Sequence, residues 1–134
     1  MILDSSVLAH IALGEPGWED SLRWLSRQPH LRLSAASLVE SHAVLNNRSR
    51  RPLRYSLNDL LILSEVEVVA FSAEQAELAR DAYSRYGKGQ GHPAQLNFGD
   101  VPVYALCASA GEVLAFVGDD FNHTDLETVR LPLN

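Results

Sequence analysis

The sequence predicts an α/β domain in which strands alternate with helices around a mostly parallel sheet. Three observations carry that expectation. Short apolar or β-branched runs (MIL, LRLS, EVVAF, VLAFV, TVRL) alternate with longer stretches of helical periodicity, and this alternation builds βαβ units with right-handed crossovers. The chain has 134 residues, enough for one domain spanning 1–134 with a real core. Its hydrophobic fraction of 46% and charged fraction of 21% are those of a soluble globular protein.

Each element has its own justification. MIL is a short apolar start, and DSSVLAHIAL after it reads as a helix capped by Asp4, Ser5 or Ser6. EPGWEDSLRWLSR places Trp18, Leu22 and Leu25 on one helical face. LRLS is a short strand, AASLVESHAVLNN a helix, and SLNDLLILSEV another helix after the break at Pro52. EVVAF is rich in β-branched residues and reads as a strand. SAEQAELARDAYSRYG is an amphipathic helix, capped by Ser72, with Glu74 and Glu77 near its start and Gly87 at its end. The glycine-rich loop GKGQGHPAQLNFG leads to DVPVYALCASAG, an almost wholly apolar helix with Pro102 in its first turn and Gly111 as its stop. VLAFV is a strand buried on both faces, and TVRL an edge strand.

Composition narrows the function. One cysteine, Cys107, excludes an internal disulfide framework and argues against a cysteine-ligated zinc site; in its apolar helix it reads as a small buried hydrophobe. The start of the chain has no basic region and no long apolar stretch, so neither a signal peptide nor a membrane span is expected, and the cytoplasm is the expected location. A net charge of −6 disfavours a protein that coats nucleic acid through bulk charge. The cations are nearly all arginine, however, and four of them (Arg48, Arg50, Arg51 and Arg54) fall in RSRRPLR. That strip is a candidate for local phosphate contacts, since arginine binds phosphate bidentately. A solvated helix end explains it equally well.

The carboxylates point to chemistry. Asp4 follows the first strand, Asp119 and Asp120 follow VLAFV, and Asp100 opens the helix leading into that strand. In a parallel α/β sheet, ligands bind outside the carboxyl ends of the strands. Glu40 sits within a helix beside Ala36, Ala43 and Val44, where an unpaired glutamate is costly to keep ionised. Singly, each acid has an ordinary explanation as helix cap, turn residue or solvated edge. Crowded together they repel, and a hard divalent cation such as Mg²⁺ or Mn²⁺ relieves the conflict. Such an ion lowers the pKa of bound water and polarises phosphoryl oxygens, so the chemistry inferred is metal-assisted phosphodiester hydrolysis.

Four segments in register, MILDSSVLAHIALGEP, SAASLVES, GHPAQLNFGD and VGDDFNHTDL, resemble PIN-domain proteins, most closely the VapC-like ribonuclease toxins of bacterial toxin–antitoxin pairs. The resemblance runs from Met1 to about Leu126. It implies a three-layer α/β/α sandwich and an Mg²⁺- or Mn²⁺-dependent endoribonuclease that leaves a 5′-phosphate and a 3′-hydroxyl. It implies Asp4 and Asp100 as core metal ligands, Glu40 completing the acidic pocket directly or through water, and a fourth acid at Asp119 or Asp120. Ser6 would orient a carboxylate or water behind the ligands. RNA as substrate, a cognate antitoxin and a homodimer follow from the same resemblance. Val101 and Pro102 depart from the cysteine and aromatic that often follow the third acid in the family, which implies an altered start to that helix and altered crowding at the metal.

Other readings are weaker. His92 and His123 lie in loops near the expected pocket and are candidate substrate contacts, although loop histidines are usually polar surface. GKGQG follows a helix and lacks a closing Gly-Lys-Ser/Thr, so it is not a P-loop but a loop that lets Asp100 approach the first strand. Trp18, Trp24 and Leu25 are expected in the core, with a dimer or antitoxin surface as the alternative. A receiver domain needs an aspartate after EVVAF, where Ser72 lies, and a haloacid-dehalogenase-type phosphatase needs one at Ser6. The remaining alternative to a nuclease is a catalytically silent PIN-like scaffold that binds protein or nucleic acid.

Overall fold

The computed structural model describes residues 1–48 and 50–133. Among them are strands β1 (Ile2–Leu3), β2 (Arg32–Ser34), β3 (Glu67–Val69), β4 (Leu114–Val117) and β5 (Thr128–Leu131). The helices are α1 (Ser5–Ala12), α2 (Trp18–Leu25), α3 (Ala35–Asn46), α4 (Leu57–Leu63), α5 (Ala73–Tyr86) and α6 (Asp100–Ala110). The strands form one parallel sheet in the order β3-β2-β1-β4-β5. β1 therefore lies at the centre, the chain winds outward through β2 to β3, and it then crosses back to β4 on the other side of β1. Between β1 and β4 the winding changes direction, and an open α/β sheet forms its crevice at such a point.

Two cores flank the sheet. Ile2, Leu114 and Phe116 point to one face and pack with Ala82 of α5 and Val103 and Leu106 of α6. Leu3, Leu33 and Ala115 point to the other and pack with Leu8, Leu25, Leu45 and Leu60 from α1 to α4. Adjacent strand residues thus serve opposite cores, as the period of two requires. This is the expected three-layer sandwich. Its central strands are buried on both sides, which is why β1 and β4 read as continuous apolar runs. β5 is an edge strand, as its mixed sequence suggested.

Serine caps set the starts of three helices: Ser34, Ser56 and Ser72 accept from the backbone N–H groups of Ala36, Asp59 and Gln75. Some boundaries differ from expectation. α2 begins only at Trp18, because Gly17 in the left-handed region (φ 89°) turns the chain into it. β3 stops at Val69, short of Ala70 and Phe71. Gly87 ends α5 in an extended conformation, not a left-handed one, and a Cβ there would overlap the Tyr83 carbonyl oxygen. Leu25 is buried, Trp18 and Trp24 are half-buried against the α1–α4 core, and Cys107 is buried, so the core reading holds for all four. No helix among the described residues is long and apolar enough to cross a membrane.

Candidate active site

Asp4 leaves β1 at the sheet centre and caps α1, its Oδ2 accepting from the Ser6 backbone N–H at 3.0 Å. The capping explanation is therefore correct, but incomplete. The second oxygen, Oδ1, is buried and has no hydrogen-bond partner. The Ser6 Oγ also accepts from the Val117 N–H at 3.0 Å, which ties the first turn of α1 to the end of β4. Asp100 is the first residue of α6, with Gly99 in the capping position. Its Oδ2 accepts from the Asn97 N–H at 2.8 Å, so it braces the preceding loop and leaves the helix amides alone. α6 runs antiparallel to β4, which brings its start to the carboxyl end of the sheet beside Asp4. Val101 and Pro102 are buried in the first turn of α6, which begins at Asp100 despite the proline.

Glu40 enters from α3. Ser5 Oγ donates to Glu40 Oε1, and Oε2 rests against Gly99, where any Cβ would overlap it. Its small helical neighbours leave room for this, and the missing partner is supplied by another helix. Asp120 completes the set, lining one cleft of about 400 Å³ together with Asp4, Ser5, Glu40 and Asp100. Asp119 lies outside it. That side chain is exposed and bonded to Arg130 Nη2 at 2.9 Å and to Asn122 Nδ2 at 3.2 Å. Gly118 at φ 102° sets the direction of the turn that separates the two aspartates.

The acids perturb one another. Burial pushes the Asp100 carboxyl up to about 7, and the neighbouring charges of Asp4, Asp120 and Glu40 add to the shift against a lowering bond from Asn97. Asp4 is also raised, first by burial and then by Glu40 and Asp120, with hydrogen bonds from Ser6 opposing. A site whose carboxylates resist ionisation is one that a cation would stabilise. Asp4 Oδ1 is a free acceptor in a low-dielectric setting, and the donor set is all oxygen, which suits Mg²⁺ or Mn²⁺. Among the described residues no three acidic, histidine or cysteine side chains already stand at metal-binding spacing. Mg²⁺ is commonly held by one or two carboxylates with several waters, so the residues fit such an ion without a closed cage.

Other sequence candidates fall elsewhere. Arg48 folds back onto the end of α3, donating to the carbonyls of Leu45 (2.5 Å) and Arg51 (2.8 Å). The Arg54 guanidinium stacks 5.3 Å from the Trp18 ring centre. Arg50 adopts φ 64° and is exposed, and only Arg51 approaches the cleft, 3.8 Å from Glu15 at its rim. His92 accepts from the Ala94 N–H and packs edge-on against Tyr86, and His123 is exposed in a turn; neither lines the cleft. The GKGQG loop is tied to the end of α5 by Lys88 N–H to Leu96 O and Leu96 N–H to Tyr86 O. Sequence reasoning missed Ser5, Gly99 and Glu15. The first two had a signal, a hydroxyl and a glycine directly beside candidate acids.

A PIN-domain family model matches residues 1–127. The chain belongs to the PIN-domain family. This PIN-domain protein is 43% identical over 126 residues to ribonuclease VapC42 of Mycobacterium tuberculosis, covering 94% of this chain and 96% of that one. It is 41% identical over 133 residues to ribonuclease VapC30 of the same organism, covering 98% and 100%. In structure it is similar to M. tuberculosis VapC20, a sarcin–ricin loop cleaving toxin, with TM-score 0.70 and 20% identity over 96% of this chain and 98% of that one. A toxin–antitoxin complex from Klebsiella pneumoniae gives TM-score 0.67 at 15% identity, over 96% and 94%.

Proposed function

We propose that this PIN-domain protein is an Mg²⁺- or Mn²⁺-dependent endoribonuclease and the toxin of a toxin–antitoxin pair. The observation that carries the reading is the cleft itself. Five carboxylates line it, Asp4, Glu40, Asp100 and Asp120 from four separate chain segments and Glu15 at its rim, and Asp4 has a buried oxygen that nothing in the fold satisfies. The curated relatives named as VapC ribonucleases support the same reading across nearly the whole chain.

Asp4 and Asp100 would hold the ion, with Asp120 and Glu40 adding negative charge at its edge. When bound, the ion supplies Lewis acidity toward water and the phosphoryl oxygen and balances the charge that develops on phosphorus. The protein does the positioning. Ser5 and Gly99 fix Glu40 in the cleft wall, where its carboxylate can orient a water for in-line attack, and Ser6 holds α1 in register with β4. Burial of Asp4 and Asp100 keeps the site in low dielectric, which strengthens their hold on a cation. An antitoxin partner is supported by the structural neighbours, which include toxin–antitoxin complexes. The groove of about 390 Å³ between α2 and α4, lined by Trp18, Leu22, Tyr55 and Leu63, offers an apolar seat for it. Self-association belongs to the same proposal, with Phe71, Tyr83 and Phe98 exposed along a second apolar groove.

The test is cleavage of a mixed RNA pool by purified, antitoxin-free protein with Mg²⁺, Mn²⁺ or EDTA, beside Asp4→Asn and Asp100→Asn. Metal-dependent cutting that both variants lose by at least about 100-fold is the expected result. Residual cutting that is equal in every sample would refute the nuclease. RNA binding without cutting by the wild type would instead favour the silent scaffold.

A further inference from the structure

A second groove, of about 620 Å³, begins where the acidic cleft ends. Val117 lines both, and the groove continues past Gly118 to Arg130 and Leu131 of β5. Its one charged lining residue is Arg130. The floor is open, because nothing lies within 4 Å of where a Cβ on Gly118 would be. A polyanion entering the acidic cleft meets five carboxylates, and the adjoining groove presents the opposite sign. Arg130 is half exposed and bonded at 2.9 Å to Asp119, which is itself 76% exposed. An ion pair that open to solvent is weak and readily exchanged, whereas an arginine and a phosphodiester make a stronger, bidentate match.

Resting on the ribonuclease reading, we propose that the groove beside Val117 is a subsite for the RNA strand next to the cleaved bond, with Arg130 gripping a phosphate and Asp119 acting as its displaceable screen. Asp119 then competes with the substrate for Arg130 and has no part in the metal cleft. The strip at Arg48–Arg54 is largely committed to the fold, since Arg48 closes α3 and Arg54 covers Trp18. Arg130 is on the sheet itself, which fixes its position more firmly than a loop would.

The proposal makes opposite predictions for two neighbouring residues. Binding of a short, labelled, mixed-sequence single-stranded RNA is measured against salt for the wild type, Arg130→Ala, Arg130→Lys and Asp119→Asn. Cleavage by each is followed in parallel. Arg130→Ala should weaken binding about ten-fold and reduce the slope of log affinity against log salt by about 0.7, the contribution of one single-strand phosphate contact. Arg130→Lys should restore most of the slope. Asp119→Asn should tighten binding by about two- to five-fold, with cutting retained. Wild-type binding that Arg130→Ala leaves unchanged, or loss of cutting in Asp119→Asn, overturns the inference alone. A wild type that neither binds nor cuts RNA overturns the ribonuclease reading, and the inference with it.

Discussion

Glu40 is held by two neighbours of different kinds, a hydroxyl that donates to it and a glycine that leaves it space. The glycine is the more telling. Gly99 has ordinary helical dihedrals (φ −68°, ψ −22°), so alanine there is no backbone strain, and the Cβ would meet only the tip of a flexible side chain. Gly99→Ala should therefore cost less than about 1 kcal/mol of stability. It should nevertheless push the Glu40 carboxylate out of place and reduce single-turnover RNA cutting by about ten-fold or more, as misplacement of a catalytic group by an ångström does. Thermal melts beside single-turnover rates check this; unchanged cutting would mean that Glu40 need not sit where it does. At this scale the sequence was partly legible. Asp4 and Asp100 stand out because strand ends and helix starts are where a parallel sheet collects ligands. Ser5 was hidden because a serine after an N-terminal aspartate looks like capping chemistry, and its real partner lies 35 positions away. Asp119 and Asp120 were inseparable because Gly118 decides which one faces the cleft, and its φ of 102° is a backbone property that the letters do not print.

α5 and α6 are locked together by a buried tyrosine. The Tyr104 hydroxyl donates to Asp125 Oδ1 at 2.7 Å and accepts from Arg85 Nη2 at 3.0 Å, and the guanidinium lies over the Tyr86 ring at 4.8 Å. Burial, together with the bond to Asp125, pushes the Tyr104 hydroxyl up to about 12. The hydroxyl thus stays protonated and donates at every physiological pH. α6 carries Asp100 at its start, so this bond also fixes how that helix sits against the loop after β4. Tyr104→Phe should cost about 1 kcal/mol, because Arg85 and Asp125 are exposed enough to find water instead. Urea unfolding should report it as a lower midpoint with an unchanged m-value. Loss of more than about 3 kcal/mol would show the network to be cooperative. The helices and strands themselves were legible, since 3.6- and 2-residue periods and serine caps are local. Gly87 was legible as the end of α5, but the reason for a glycine there was not. Its necessity comes from the Tyr83 carbonyl packed against it, a contact visible only once the helix has formed.

For the whole molecule, the acidic cleft sets function against stability. The chain has a net charge of −6, and it places five of its acids around one cleft, two of them buried. Asp100 titrates at about 7 in the folded protein against 3.8 as its ordinary value, so between those pH values the native state holds a proton that the unfolded state has lost. By linkage, this group's contribution to stability is greatest below about pH 4, declines as pH rises through that window, and is fully lost above about pH 7. The difference corresponds to a penalty of up to about 4 kcal/mol at pH 8 in metal-free protein. Asp100→Asn, which cannot ionise, should then be more stable than the wild type at pH 8 by several degrees in Tm, with the two converging near pH 4. Mn²⁺ should reverse the order at pH 8. An ion that binds only the native site raises the wild-type Tm in proportion to the logarithm of its concentration, and the variant should gain much less. The comparison isolates Asp100 from groups with the opposite trend, such as His10, whose burial lowers its pKa and favours the native state at higher pH. Melting curves at pH 5 and pH 8, with EDTA or Mn²⁺, decide the matter. A variant less stable than the wild type at pH 8 in EDTA would mean that the bond to Asn97 outweighs the charge burial, and that the cleft tolerates its acids without an ion.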